Sequence, residues 1–288
     1  MQTESTDNER YYVRAVLRAL DVLEAFCTEA PALSLMEISE RVGLNPSTTF
    51  RLLATLQSRG YVEHDEATGR YRVGVAVLRP TSTFLAHLNV RERVYPFLVD
   101  LRDTSRETVH LTVLDPRTME VIYLEKLEGL QPIGLMSSRV GGRSPTYCTA
   151  VGKALLACQE PDVVRSFFSR NVMHRFTANT ITTVDALMAE LESVRERGYA
   201  LDNAEHEEDV MCIAVPLWNH LRTAVAAVSV SGPVERLTRA IRDGALIQHV
   251  LTVGRLASRQ LGAPAEGEEM PFRRPAPESA RRSEVEAL

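Results

Sequence analysis

Lysine is almost missing from this chain. Lys126 and Lys153 are its only lysines in 288 residues, and the other 31 of its 33 basic residues are arginine. Arginine's planar guanidinium suits bidentate contact with phosphates and base edges, although a bias this uniform points to genome composition before function. Cysteine is scarce as well. Cys27, Cys148, Cys158 and Cys212 are scattered with no C-x-x-C pair, which argues against a disulfide framework and a zinc ribbon and predicts reduced thiols. No apolar run approaches the roughly 20 residues needed to cross a bilayer, and the opening MQTESTDNER is polar and acidic, unlike a signal peptide. A cytoplasmic protein is expected. The net charge of −5 excludes a global attraction to nucleic acid, so any such binding must come from a local patch.

What is present fits a globular chain of two domains: 44% hydrophobic, 25% charged and long enough for two cores. Residues 11 to 27 put Val13, Val16, Leu17, Leu20, Leu23 and Phe26 on one stripe at three-and-four spacing, predicting an amphipathic helix. Ser34 three residues before Glu37 is a capping-box pattern, and Gly43 closes that short second helix. A third helix starts at Asn45, a good N-cap, with Pro46 in its first turn, and ends at Gly60. Wound at about 100° per residue, it separates Phe50, Leu52, Leu53, Ala54 and Leu56 from Ser47, Thr48, Arg51, Thr55, Ser58 and Arg59. The second face carries hydroxyls and arginines but no carboxylate, which suits phosphates and base edges. The stretch YVEHDEATGRYRVG then reads as a hairpin with Gly69 at its turn and Arg70 and Arg72 just beyond. Helix, helix, turn, helix, hairpin is the order of a winged helix-turn-helix, with the third helix in the major groove and the wing arginines near phosphates.

The run RALDVLEAF through LMEISERVGLNPSTTFRLLATLQSRGYVEHDEATGRYRVG resembles the N-terminal domain of the IclR family of bacterial transcription regulators. RSPTYCTAVGKALLA, FTANTITTVDALMAELESVRERGYALDNAE, CIAVPLW and AVSVSGP resemble successive motifs of that family's effector-binding domain, in order, over roughly residues 10 to 260. The resemblance implies an α+β chain: a winged helix-turn-helix over 10–77, a connector helix over 78–90 and a GAF-like α/β effector-binding domain over 91–261. It also implies a homodimer, often paired into tetramers, that binds a near-palindromic operator and responds to a small metabolite.

The second half reads independently as strands and helices. Residues 91 to 102 form a helix despite Pro96, VHLTVLD and EVIYLEKLE a strand pair about Asp115-Pro116-Arg117-Thr118, and 131 to 144 a strand and Gly-rich loop. Helices follow over 150–158, from Thr182 with Asp185 to Gly198, and over 234–261. ERGYALD, VMCIAVPLW and TAVAAVSVS are strand-like, so a mixed sheet is expected. The tail from 262 is rich in Pro, Ala, Glu and Arg and is expected to be disordered.

No enzymatic machinery is apparent. Gly152-Lys153 is followed by Ala154 where a P-loop needs Ser or Thr. Cys148 and Cys212 have no histidine at a recognisable spacing, and Asp202, Glu205, His206 and Cys212 have no metal-site spacing, so neither metal nor cofactor is expected. A small-molecule pocket fits better. Val210 and Cys212 share a strand face, as do Ser229 and Ser231, and with the amides opening the TAVGKA helix they suit a carboxylate. By resemblance the effector-binding residues are Ile133, Ala150, Val151, Asp202, Val210, Cys212, Ser229 and Ser231. The DNA-binding set is Ser47, Thr48, Thr49, Arg51, Thr55, Arg59, Arg70 and Arg72. Two departures from the family pattern fall beside the pocket: Tyr147 where histidine is common, and Asp209 where glycine is. An enzyme of small-acid metabolism, or a ligand-sensing module without DNA binding, remains as an alternative.

Overall fold

Two compact units divide the chain, Met1–Leu88 and Asn89–Leu288. The computed structural model describes residues 12–27, 32–81, 90–130 and 136–263. The connector expected from Leu78 to Leu88 falls mostly outside this range, as do Ile133 and the tail beyond 263.

Local signals built the first unit. Helix α1 spans Arg14–Glu24, α2 Leu35–Val42 and α3 Pro46–Ser58. Ser34 and Glu37 form the expected capping box, with Ser34 N–H donating to Glu37 Oε2 at 2.7 Å, and Gly43 ends α2 in the left-handed region. Asn45 caps α3 by accepting from Thr48 N–H at 2.9 Å. The wing is β1 (Val62–Asp65) paired antiparallel with β2 (Arg70–Val73), turned by Gly69 at φ +64, a conformation that an L side chain resists. Leu33 adds a bridge to Tyr71. Val22, Phe26, Leu33, Ile38, Leu53, Val62 and Tyr71 form the core. Two expectations fail here. Val13, Val16, Leu17 and Leu20 of α1 are exposed, because the helix meets the core along Val22 and Phe26 instead. Phe50 and Ala54 are also exposed, so the buried arc of α3 is narrower than the pattern suggested and centres on Thr49 and Leu53.

The second unit opens with α4, Val90–Ser105, which carries Pro96 internally. Strands β3 (Thr108–Asp115), β4 (Glu120–Leu127) and β5 (Arg143–Pro145) follow, then α5 (Ala150–Leu156), α6 (Pro161–Phe168) and α7 (Val184–Arg197). The chain continues with β6 (Ala200–Asn203), β7 (Val210–Trp218), β8 (Ala224–Pro233), α8 (Val234–Arg242) and α9 (Ala245–Gln260). The sheet order is β5-β4-β3-β8-β7-β6. Every pairing is antiparallel, which corrects the expected mixed sheet. Tight turns join β3 to β4 and β7 to β8, and α5, α6 and α7 carry the chain from one edge strand to the other.

Alternation along the strands separates the two faces. Ala214 and Ala227 join α5, α6 and α7 in one core. Val215 points the other way, towards α9, where a Cβ on Gly254 would stand 2.6 Å from its Cγ2. Three smaller expectations also change. Residues 234–261 are two helices because Gly244, at φ +76, breaks the run. Helix α7 is capped by Thr183, which accepts from Ala186 N–H, while Thr182 accepts from Arg175. Among the described residues of 131–144, only 143 and 144 lie in a strand, the start of β5.

Candidate nucleic-acid face and ligand pocket

The outer side of α3 carries short hydroxyls that are already ordered by the helix itself. Ser47 Oγ donates to Asn45 Oδ1 at 2.8 Å, Thr55 Oγ1 to the Arg51 carbonyl at 2.8 Å and Ser58 Oγ to the Thr55 carbonyl at 2.7 Å. Ser47, Arg51, Thr55, Ser58 and Arg59 are exposed and Thr48 is half-buried. Thr49 does not belong with them. It is fully buried and its hydroxyl donates back to the Asn45 carbonyl at 3.2 Å, which removes it from any outward contact set. Among the described residues neither Arg51 nor Arg59 has an ion-pair partner.

The wing differs from that face. Arg70 donates to the Ala32 carbonyl and to Glu37, and Arg72 pairs with Glu63 at 2.8 Å. These arginines are thus engaged inside the unit, and phosphate contact by either would have to draw it from its partner.

In the second unit the sheet brings separate stretches of sequence together. Asp202, Cys212 and Ser231 stand directly opposite one another across β6, β7 and β8, and Ser229 lies opposite His110 of β3 and Ala214 of β7. Helix α5 closes over this row. Gly152 lets the segment that leads into α5 fold back against the helix, since a Cβ there would lie 2.3 Å from Thr146 Cα. The result is a pocket lined by Ala150, Val151, Asp202, Val210, Cys212, Ser229 and Ser231. These are seven of the eight residues expected to bind an effector; the eighth, Ile133, lies outside the described residues.

The sequence reading missed several of its walls: Tyr123, Met136, Ser137, Ser138, Thr149 and Glu207. His110 is a further wall, as is His206, which the sequence suggests only as a metal ligand. Only the alternation of β3 and β4 carried a signal, since residues of the right parity there share the face of Ser229. His110 is held on both nitrogens: Nε2 lies 2.9 Å from Ser138 Oγ and Nδ1 3.3 Å from Ser231 Oγ. Burial, reinforced by the charge of Lys126, pulls its pKa down to about 3, so it is a neutral imidazole.

Asp202 is the opposite case. It is 3% exposed, its Oδ1 accepts from Glu205 N–H at 2.7 Å, and burial lifts its pKa to about 7 against the lowering effect of that bond. Among the described residues no lysine or arginine lines the pocket. Lys153 is consumed behind it by Glu205 and by Glu190 at 3.2 Å, and Glu190 also binds Arg197 at 2.8 Å. That engagement explains why Gly152-Lys153 makes no phosphate cradle. Burial pushes the Cys148 and Cys212 thiols up, the reverse of what a nucleophilic cysteine requires. Among the described residues, no group of three or more His, Cys, Asp or Glu side chains is placed to hold a metal.

The two departures resolve differently. Tyr147 is not at the pocket: it is buried edge-on against Phe168 and donates to the His174 carbonyl at 2.9 Å. Asp209 keeps φ out of the left-handed region, and its carbonyl accepts from Val234 N–H at 3.1 Å.

Comparison with known proteins covers both units. Residues 15–66 match the family model described as the IclR helix-turn-helix domain, and residues 82–259 match the C-terminal region of the bacterial transcriptional regulator IclR. The chain is 35% identical over 256 residues to the HTH-type transcriptional regulator XynR of Escherichia coli K12, covering 88% of this chain and 99% of that protein. It is 32% identical over 237 residues to the transcriptional repressor IclR of the same strain, covering 82% and 86%. An IclR homologue from Microbacterium hydrocarbonoxydans, crystallised with 4-hydroxybenzoate, shares the fold at a TM-score of 0.76 and 24% identity, over 87% of this chain and all of that one.

Proposed function

The chain belongs to the IclR family of bacterial transcription regulators, and on that premise we propose that the α3 face reads a duplex operator and that the pocket under α5 takes a small carboxylic acid. The protein is a helix-turn-helix transcription regulator with a C-terminal effector domain. The observation that carries the regulatory reading is the convergence of Asp202, Cys212, Ser229 and Ser231 from three strands on one pocket.

Ser47, Thr48, Arg51, Thr55 and Arg59 are the proposed contacts from α3, with Arg51 first because its guanidinium is free to engage a guanine edge or a phosphate. Within the pocket, the amides of Ala150 and Val151 supply donors, because Gly152 N–H is taken by Thr149 Oγ1 at 3.3 Å and Lys153 N–H by the Thr149 carbonyl. Ser229 and Ser231 add hydroxyls, and a protonated Asp202 donates where an ionised one would repel an acid. The effector acts by binding one arrangement of the DNA-binding units more tightly than another.

The assembly we propose is a homodimer. Its support is the apolar stripe of Val13, Val16, Leu17 and Leu20, which lies open on α1 and would gain from a second copy. Such a regulator works in the cytoplasm beside its DNA; among the described residues no helix is long and apolar enough to cross a membrane. A thermal-shift screen of small aliphatic, aromatic and sugar acids tests the pocket, because a ligand that favours the native state raises its melting point. A response to no acid at all would overturn the effector class.

A further inference from the structure

Helical spacing puts Ser47, Phe50, Arg51, Ala54, Thr55 and Ser58 on one side of α3, at intervals of three and four residues, and all six are exposed. Five of them are small or polar, or carry the cation. Phe50 is the exception, with 52% of its surface open on a helix whose leucines are buried or half-buried. A single exposed aromatic is ordinary on a protein surface. This one, however, borders the acid-free face, about 60° round the helix from Ser47 and about 100° from Arg51.

A phenyl ring can meet few things favourably in a major groove. The base edges there are donors and acceptors, and the one apolar group they display is the C5 methyl of thymine. We propose that Phe50 is a specificity-determining residue that reads a thymine methyl beside the site engaged by Arg51. The inference rests on the DNA-binding reading of α3. Removing one methyl from water against the ring is worth about fourfold in affinity, on the scale of burying one carbon.

The test uses the full-length protein. A duplex is first selected from a random-sequence pool, and each of its thymines is then replaced singly by deoxyuridine, which deletes only the C5 methyl. At one thymine in each half-site, wild type should lose about fourfold in affinity, while Phe50→Ala, already weaker on the thymine duplex, should lose nothing more. Phe50→Leu, which keeps apolar surface, should retain part of the uridine penalty and serves as the second variant. Uridine tolerated at every position by wild type, or penalised equally in wild type and Phe50→Ala, overturns the assignment. Arg51→Ala separates the two claims. If it weakens binding to the selected duplex while uridine has no effect, α3 still reads DNA and Phe50 does not read thymine; if the pool yields no enriched duplex, the DNA reading of α3 fails and the Phe50 assignment with it.

Discussion

The α3 face and the pocket are built by contrasting means. One is a single stretch of thirteen residues whose outward side follows from a period of 3.6. The other draws on five strands, two loops and a helix spread over more than a hundred residues, from His110 to Ser231. A local site tolerates loss of one side chain with loss of one contact. A site made by convergence depends on the interactions that hold its walls together, so its support can be broken from behind.

The largest expected effect follows from that dependence. Lys153→Met leaves Glu205 buried without its cation beside the pocket wall, and removing one partner of a buried pair costs about 3–5 kcal/mol. Denaturant unfolding should show it in the second unit, with melting of the first unit unchanged.

Next comes the protonation of Asp202. Its folded pKa of about 7 stands above the ordinary 3.8, so the native state holds a proton that the unfolded chain releases. Stability from this group is full below about 4 and declines as pH rises through 7, at about 1.4 kcal/mol for each unit of elevation. Asp202→Asn keeps the acceptor for Glu205 N–H and should flatten that decline. The difference between the two pH–stability curves isolates the contribution of this residue.

On the helical side, Arg51→Ala should cost about 1–3 kcal/mol of operator affinity and leave any acid-induced thermal shift intact. The smallest effect is expected at the cap: Asn45→Ala should destabilise the first unit by about 1 kcal/mol in thermal melts.

The same contrast decided how much was legible in the sequence. Caps at Ser34, Asn45 and Gly43 act over three or four residues, so the helices of the first unit could be read directly. The α1 stripe misled because periodicity finds an apolar face without saying whether the chain itself or another molecule covers it. Thr49 and Phe50 exchanged places because adjacent residues on a helix differ by about 100°, enough to cross the edge of a narrow buried arc. In the pocket, pairs two apart on β7 and β8 were readable from strand alternation. That Asp202 faces Cys212 and Ser231 depends on strand register, and the roles of His110 and Glu207 depend on which strands are neighbours, which no local pattern encodes. Resemblance supplied the first of these and missed the second.

The central claim is that occupancy of the pocket changes how α3 holds DNA. Operator affinity should therefore be measured with and without an acid found by thermal shift, in wild type and in the Ser229→Ala/Ser231→Ala double variant. We expect the acid to change wild-type affinity by fivefold or more, on the usual scale of coupling between sites, and the double variant to bind the free operator as wild type does but ignore the acid. An undiminished response in the double variant would contradict the account.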